Sequence, residues 1–314
     1  MTHILKADHL VKDFGSIEAV KGISFEIERG EVFSLLGPNG AGKTTTISML
    51  STLLSPTRGE AWIDGHSIIH NPLQVRASIG VVPQEIALYD DLNAIENLSF
   101  FGKMYDLDGT ELHKRIAAIL EQIGLTDRAK SRVRTYSGGM KRRLNIGVGL
   151  LHQPKIIFMD EPTVGIDPQS RRSILDTVKE LNQQGMTVLY TTHYMEEAQE
   201  LSDRVGIIDH GELIALGTQQ ELMQLVGEHE TIKLTVSDNI IIEPLITALA
   251  QLPGVFQATA VDHEVVLIVQ EAEITLPPAI TAANELGIKI RSVEIQEPNL
   301  EAVFLQLTGR ALRD

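Results

Sequence analysis

The chain reads as an α/β protein built on a parallel sheet, with an inserted helical subdomain and a small second domain of α+β type. Three observations predict this. Short apolar runs of the kind buried on both faces of a sheet recur and alternate with helical spacing. One such run ends directly in a glycine-rich loop, Gly37-Pro38-Asn39-Gly40-Ala41-Gly42-Lys43-Thr44. Residues 229–314 then change character and follow the order βαββαβ, the split-βαβ or ferredoxin-like arrangement.

The elements follow in order. Residues 4–36 read as β: Ile23-Ser24-Phe25-Glu26-Ile27 alternates apolar and polar, Gly30-Glu31 marks a turn, and Val32-Phe33-Ser34-Leu35-Leu36 is a buried strand. After the glycine loop, Ile47, Leu50, Leu53 and Leu54 fall at intervals that predict a helix over 44–54. A short strand at 79–82 ends in Pro83-Gln84. Helical spacing dominates residues 92–151. One stripe is Ile95, Leu98, Phe101 and Met104; another is Leu112, Ile116, Ile119, Leu120 and Ile123, stopped by Gly124. This block, about 85–151, is the expected helical subdomain. The parallel pattern returns with a strand at 156–159, a helix from Pro168 to about 183 closed by Gly185, and a strand at 187–191. A short helix near Tyr194 and strands at 204–209 and 213–217 complete the first domain. The boundary is expected near Gly227-Glu228, giving domains 1–228 and 229–314. The second domain should hold strands at 232–236, 255–260, 265–269 and 288–295, and helices at 244–252, 276–286 and 300–307.

Bulk composition narrows the chemistry. At 314 residues, 43% of them apolar, the chain is long enough for about two folded domains. It has no cysteine, which excludes disulfides, zinc fingers and thiol catalysis. Residues 1–6 show no signal-peptide pattern, and no run approaches the roughly 18 apolar residues of a membrane helix, so a soluble chain is expected. The net charge of −15 repels nucleic acid and anionic lipid at long range. Lys141-Arg142-Arg143 is the densest basic run and reads as a solvated helix face. A membrane role would need a protein partner.

Two motifs carry chemistry. Gly-x-x-x-x-Gly-Lys-Thr needs glycines because its backbone wraps phosphates closely, with N–H groups converging at a helix N-terminus. Lys43 can reach the β- and γ-phosphates, and the Thr44 hydroxyl can ligate Mg²⁺. Ile156-Ile157-Phe158-Met159-Asp160-Glu161-Pro162 is an apolar strand ending in two acids. Asp160 suits a second Mg²⁺ ligand, and Glu161 is placed to orient or deprotonate a water that attacks the γ-phosphate.

The order of phosphate loop, Gln84, Tyr136-Ser137-Gly138-Gly139-Met140, Asp160-Glu161, Gly165-Ile166-Asp167 and His193 resembles that of an ABC-type ATPase over about residues 4–226. The resemblance implies ATP and Mg²⁺ as ligands. It extends the nucleotide site from Gly37, Pro38, Asn39, Gly40, Ala41, Gly42, Lys43 and Thr44 to Thr45. Phe14 matches the aromatic that stacks on adenine. Gln84 matches the glutamine that touches Mg²⁺ or the attacking water. His193 matches the histidine that contacts the γ-phosphate. Ser137, Gly138 and Gly139 match the string that binds the γ-phosphate held by the other subunit of a dimer, and Asp167 matches a loop acid that crosses the same interface. Met140 and Val164 depart from the commonest Gln and Ser, so side-chain hydrogen bonds from those positions are not expected. The tail, Glu297-Pro298-Asn299-Leu300-Glu301-Ala302-Val303-Phe304-Leu305-Gln306-Leu307-Thr308-Gly309, is similar to the ending of ATPases from drug-, lipid- and polysaccharide-exporting systems, the daunorubicin-resistance-like branch.

These resemblances imply a homodimeric ATPase at the cytoplasmic face of the cell membrane, driving a separate integral-membrane permease, with no nucleic-acid partner. The alternative is a non-transport ABC ATPase that acts on ribosomes or DNA. Such proteins usually carry two cassettes or long coiled-coil insertions; this chain has one cassette and neither insertion. The second domain could also serve as a regulatory or ligand-binding module.

Overall fold

The computed structural model describes residues 3–226, 230–237, 243–261, 264–296 and 300–308. Met1, Thr2, the Gly227-Glu228 position and, in the tail, Glu297-Pro298-Asn299 and Gly309 lie outside the described residues. The chain divides into two compact units, Met1–Leu216 and Gly217–Asp314.

The first unit opens with β1 (His3–Phe14) and β2 (Ile17–Glu28), followed by β3 (Val32–Leu36) and α1 (Lys43–Leu50). Next come β4 (Arg58–Ile63), β5 (His66–Ser67), α2 (Pro72–Ser78) and β6 (Ile79–Val82). Three helices follow, α3 (Ala94–Met104), α4 (Gly109–Gln122) and α5 (Gly138–Gly149). Then come β7 (Ile156–Asp160), α6 (Pro168–Gln183), β8 (Thr187–Thr192), α7 (Met195–Leu201), β9 (Arg204–Asp209) and β10 (Glu212–Gly217).

Strands β2-β1-β4-β5 form an antiparallel sheet, and β10-β9-β3-β8-β7-β6 form the main sheet. Its β9, β3, β8, β7 and β6 run parallel, so their C-terminal ends share one edge. The period-2 alternation of buried strands sorts their side chains into two cores. Ile156, Phe158 and Leu189 pack with α1 and the antiparallel sheet, where Phe25 stacks on Phe33 with ring centroids 5.2 Å apart. Ile157, Met159, Val188 and Tyr190 pack with the helices of the other face. Alternation therefore puts Asp160 and Thr191 on the α1 side of the sheet, and Thr192 on the opposite side.

The structure differs from the sequence reading in several places. Helix α1 stops at Leu50, short of 54, because the chain turns at Thr52, whose φ is +61°, and the Arg76 guanidinium holds that turn through the Thr52 hydroxyl and carbonyl. Leu53, counted in the apolar stripe, is 77% exposed. Met104 is likewise exposed. The pattern did not show β4, β5 or α2. Lys141-Arg142-Arg143 is not a solvated face. Arg142 is only 3% exposed, and Arg143 donates to the carbonyls of Ile123 and Gly124 at the end of α4. Arg115 does the same for Leu150 and Leu151 at the end of α5. The helical subdomain is thus pinned by guanidinium groups on helix-end carbonyls, which have no intrahelical partners.

The second unit contains α8 (Gln219–Val226), which the spacing did not reveal, then β11 (Glu230–Val236), α9 (Glu243–Ala250), β12 (Val255–Val261) and β13 (Glu264–Val269). It ends with α10 (Ala272–Glu285), β14 (Ile290–Gln296) and α11 (Leu300–Thr308). The sheet order β12-β13-β11-β14, antiparallel throughout, is that of the expected βαββαβ arrangement. One face, with Ile232, Leu234, Val265 and Leu267, packs on α9 and α10; Val266 and Ile268 on the other face meet Leu305 of α11. Helix α10 begins at Ala272, ahead of the expected 276, where the Glu230 carboxylate accepts from the Ala272 N–H. Among the described residues no helix is long and apolar enough to cross a membrane.

Candidate active site

The glycine loop leaves β3 at the shared C-terminal edge, where ligands gather in parallel sheets. Two of its glycines are forced by the neighbours. A Cβ on Gly37 would collide with the Ile208 carbonyl, and one on Gly42, at φ +108°, would lie 2.7 Å from the Ala19 carbonyl oxygen. Helix α1 starts at Lys43, so the loop's backbone N–H groups and the helix N-terminus point into one cleft. The cleft measures about 380 Å³ and is lined by residues that include Asn39, Gly40, Lys43, Thr44, Thr45, Gln84 and Glu161.

Lys43 is buried, 4% exposed, and its ammonium is fully engaged. It donates to the carbonyls of Gly37 at 2.6 Å and Pro38 at 2.9 Å, and pairs with Glu161 Oε1 at 2.9 Å. Glu161 sits at φ +43°, a conformation that costs a non-glycine residue about 1–3 kcal/mol and clusters at functional sites. Its N–H is held by the Thr191 hydroxyl at 3.0 Å. The turn aims its carboxylate at Lys43, at His193 Nδ1 3.2 Å away and at Gln84 Nε2 3.5 Å away. Burial alone would raise the Glu161 pKa; the hydrogen bonds from His193 and Lys43 outweigh it and hold the carboxyl below the ordinary glutamate range.

Asp160 is its counterpart. It is the last residue of β7, and its Oδ1 accepts from the Thr191 hydroxyl at 2.7 Å. Burial pushes its pKa up, and hydrogen bonds from the Thr191 and Thr44 hydroxyls offset this only in part. Thr44 and Asp160 are therefore adjacent oxygen donors, the chemistry that a magnesium ion takes beside phosphates. Two neighbouring acids are thus driven apart in proton affinity, a pattern common at catalytic sites.

Sequence reasoning missed the layer behind these groups. Glu197 of α7, 2% exposed, accepts from the Tyr190 hydroxyl at 2.9 Å and the Thr192 hydroxyl at 2.8 Å, with Arg171 Nε at 3.7 Å. This network fixes the turn between β8 and α7 that carries His193. Arg171 also lies over the Tyr194 ring, 4.2 Å from its centroid. The one sequence signal was a threonine pair closing a buried strand.

Not every residue singled out in the sequence joins this cleft. Ser137, Gly138, Gly139, Asp167 and Phe14 do not line it. Ser137 caps α5, accepting from the Met140 N–H at 3.2 Å, and is exposed. A Cβ on Gly139 would strike Ser170 of α6. Asp167 caps α6 by accepting from the Ser170 N–H at 2.9 Å; that backbone hydrogen bond holds its exposed carboxyl below the ordinary aspartate range. Phe14 is half exposed, with Lys12 Nζ 5.3 Å from its ring centroid.

The profile of the family described as ABC transporter matches residues 20–164. The chain is 50% identical to the linearmycin resistance ATP-binding protein LnrL of Bacillus subtilis, over 99% of this chain and 100% of that protein. It is 40% identical to the doxorubicin resistance ATP-binding protein DrrA of Mycobacterium tuberculosis, over 94% of this chain and 89% of that one. Among solved structures it resembles a dimeric ATP-binding cassette in a post-hydrolysis state bound to ADP and Pi. The TM-score is 0.62 and the identity 29%, covering 68% of this chain and 98% of that one.

Proposed function

From the premise that the chain belongs to the ABC transporter family, as an ATP-binding subunit that hydrolyses ATP, we propose that it closes as a homodimer on two ATP and drives a separate membrane permease. The observation that carries this reading is the division of the motif residues. Lys43, Thr44, Gln84 and Glu161 line one cleft, with Asp160 hydrogen-bonded to Thr44 and His193 to Glu161 behind them, while Ser137, Gly139 and Asp167 lie outside it. A second copy would supply that set to the phosphates from across the interface. The dimeric state of the related cassette supports the same arrangement.

Within the cleft, Lys43 and the loop N–H groups bind the phosphates. Thr44 and Asp160, with Gln84, would hold Mg²⁺, which when bound would supply positive charge against the phosphate charge that develops in the transition state. Phosphate draws Lys43 toward itself, and Glu161, ionised at neutral pH, accepts the proton of the attacking water. His193 holds Glu161 from the other side and faces the γ-phosphate. Phe14 stacks on the adenine. Partner donors complete charge stabilisation only in the closed dimer, so ATP closes it and hydrolysis reopens it.

The transported cargo is a drug, lipid or polysaccharide moved outward, a reading supported by relatives named for linearmycin and doxorubicin resistance. The subunit sits at the cytoplasmic face of the membrane through its permease, and residues 229–314 serve as an accessory domain. No structural observation favours the ribosome or DNA alternative. The test is Glu161→Gln. It should bind ATP, elute as a dimer with ATP, hydrolyse about 10²–10⁴-fold more slowly, and capture a multi-span membrane protein from solubilised host membranes. Full-rate hydrolysis would remove Glu161 from the mechanism, and capture of ribosomes alone would remove the permease.

A further inference from the structure

Of the three subdomain arginines described above, Arg142 differs from the other two. Arg115 and Arg143 bond to carbonyls at helix ends. Arg142, on the second turn of α5, reaches out of the helical subdomain. Its Nη1 donates to the Pro83 carbonyl at 2.7 Å and its Nη2 to the Gln84 carbonyl at 2.6 Å. Those two carbonyls are consecutive, so one planar fork holds the backbone at the residue whose side chain faces Glu161. The guanidinium is buried, and its Nε finds no hydrogen-bond partner among the described residues. An orphaned buried donor is costly, and a methionine would avoid it.

We propose that Arg142 is a positioning residue for ATP hydrolysis: it fixes Pro83-Gln84 to the Ser137-capped helix, so that Gln84 meets Glu161 only when α5 is in place. This rests on the role given to Gln84 above. The link joins the element that serves the partner's nucleotide to the loop that serves the chain's own. Lysine can replace it only in part, because an ammonium at that position is a point charge without the fork that spans both carbonyls.

A double-mutant cycle in the full chain tests this, with kcat and KM for ATP measured for wild type, Arg142→Gln, Arg142→Lys, Gln84→Ala and the doubles. Arg142→Gln should lower kcat by at least about tenfold with KM within about twofold, and Arg142→Lys should fall between. In the Gln84→Ala background the same changes should cost less than about twofold, because the residue being positioned is gone. Equal losses in both backgrounds, with Gln84→Ala itself slow, would overturn the proposal and leave the Gln84 role standing. Wild-type kcat in Gln84→Ala would overturn that role and the proposal together. Arg143→Gln, which loses only helix-end bonds, should lower the melting temperature without any coupling to Gln84. Should Arg142→Gln not fold, Arg142→Lys carries the cycle.

Discussion

Glu161 and Asp160 are adjacent, yet burial wins at one and loses at the other. Against desolvation Asp160 has two hydroxyl hydrogen bonds and the more distant charge of Lys43, with Glu161 pushing the other way, whereas Glu161 is hydrogen-bonded directly by an ammonium and an imidazole. The sign of the consequence follows from linkage. A carboxyl whose folded pKa is depressed adds stability above its unfolded pKa and loses it as pH falls through the folded value. The melting temperature of wild type relative to Glu161→Gln should therefore drop as pH falls below about 4.3. Asp160 is present in both proteins, but the Glu161 charge raises its pKa in the wild type alone, a smaller contribution of opposite sign. A constant difference across that range would show that Glu161 gains nothing from Lys43 and His193 in the fold. The glycines give a second residue-scale expectation. Gly42→Ala meets the Ala19 carbonyl and a positive φ, whereas Gly40→Ala meets open space at φ +80°. Chemical denaturation should show a loss of about 1–2 kcal/mol for Gly40→Ala from backbone strain alone, and a larger one for Gly42→Ala. Lys43, Asp160, Glu161 and His193 were legible because spacing and strand ends mark them. Glu197 and Arg142 were not. An acid or arginine in a helix reads as solvated until tertiary packing buries it.

At the scale of elements, α5 and α6 decide what the Ser137-Gly138-Gly139 string is for. Gly139 has two explanations, close packing on Ser170 and close approach to a partner's phosphate. They separate in one pair of variants. Gly139→Ala should lower ATPase activity, and adding Ser170→Gly removes the atoms that a Cβ would strike. Restored activity in the double variant would assign Gly139 to packing; activity that stays low while the melting temperature recovers would assign it to the interface, which is the outcome expected here. Element boundaries show how far pattern reaches. The helix from Pro168 to about 183 was legible, because Pro168 at its start and Gly185 past its end are both local signals. Helix α1 was over-read, since Leu53 and Leu54 keep the spacing after the backbone has turned. Strand β4 was missed: its outward face carries the polar residues Arg58 and Glu60, and its pairing with β1 is long-range.

At the scale of the whole molecule, each unit encloses its own core. That of the second unit is drawn from its own strands and helices, Ile232, Leu249, Leu267 and Ala279 among them. The nucleotide cleft is lined wholly by the first unit. A ligand that binds only the folded form raises stability by RT ln(1 + [L]/Kd), about 2.7 kcal/mol at a hundredfold excess over Kd. ATP should therefore act on one unit alone. Calorimetry of the full chain should resolve two transitions, with Mg-ATP shifting one and leaving the other in place; the ATP-insensitive one should disappear when residues 229–314 are deleted. Glu161→Gln is the form to use, since it keeps the nucleotide intact through the scan. A single transition that moves as a whole with ATP would mean that the two units unfold as one cooperative body. Deletion of 229–314 would then be expected to cost the cassette its stability. Independent transitions would instead let the deletion report on function, with lost dimerisation marking the second unit as structural and altered ATPase control in an intact dimer marking it as regulatory.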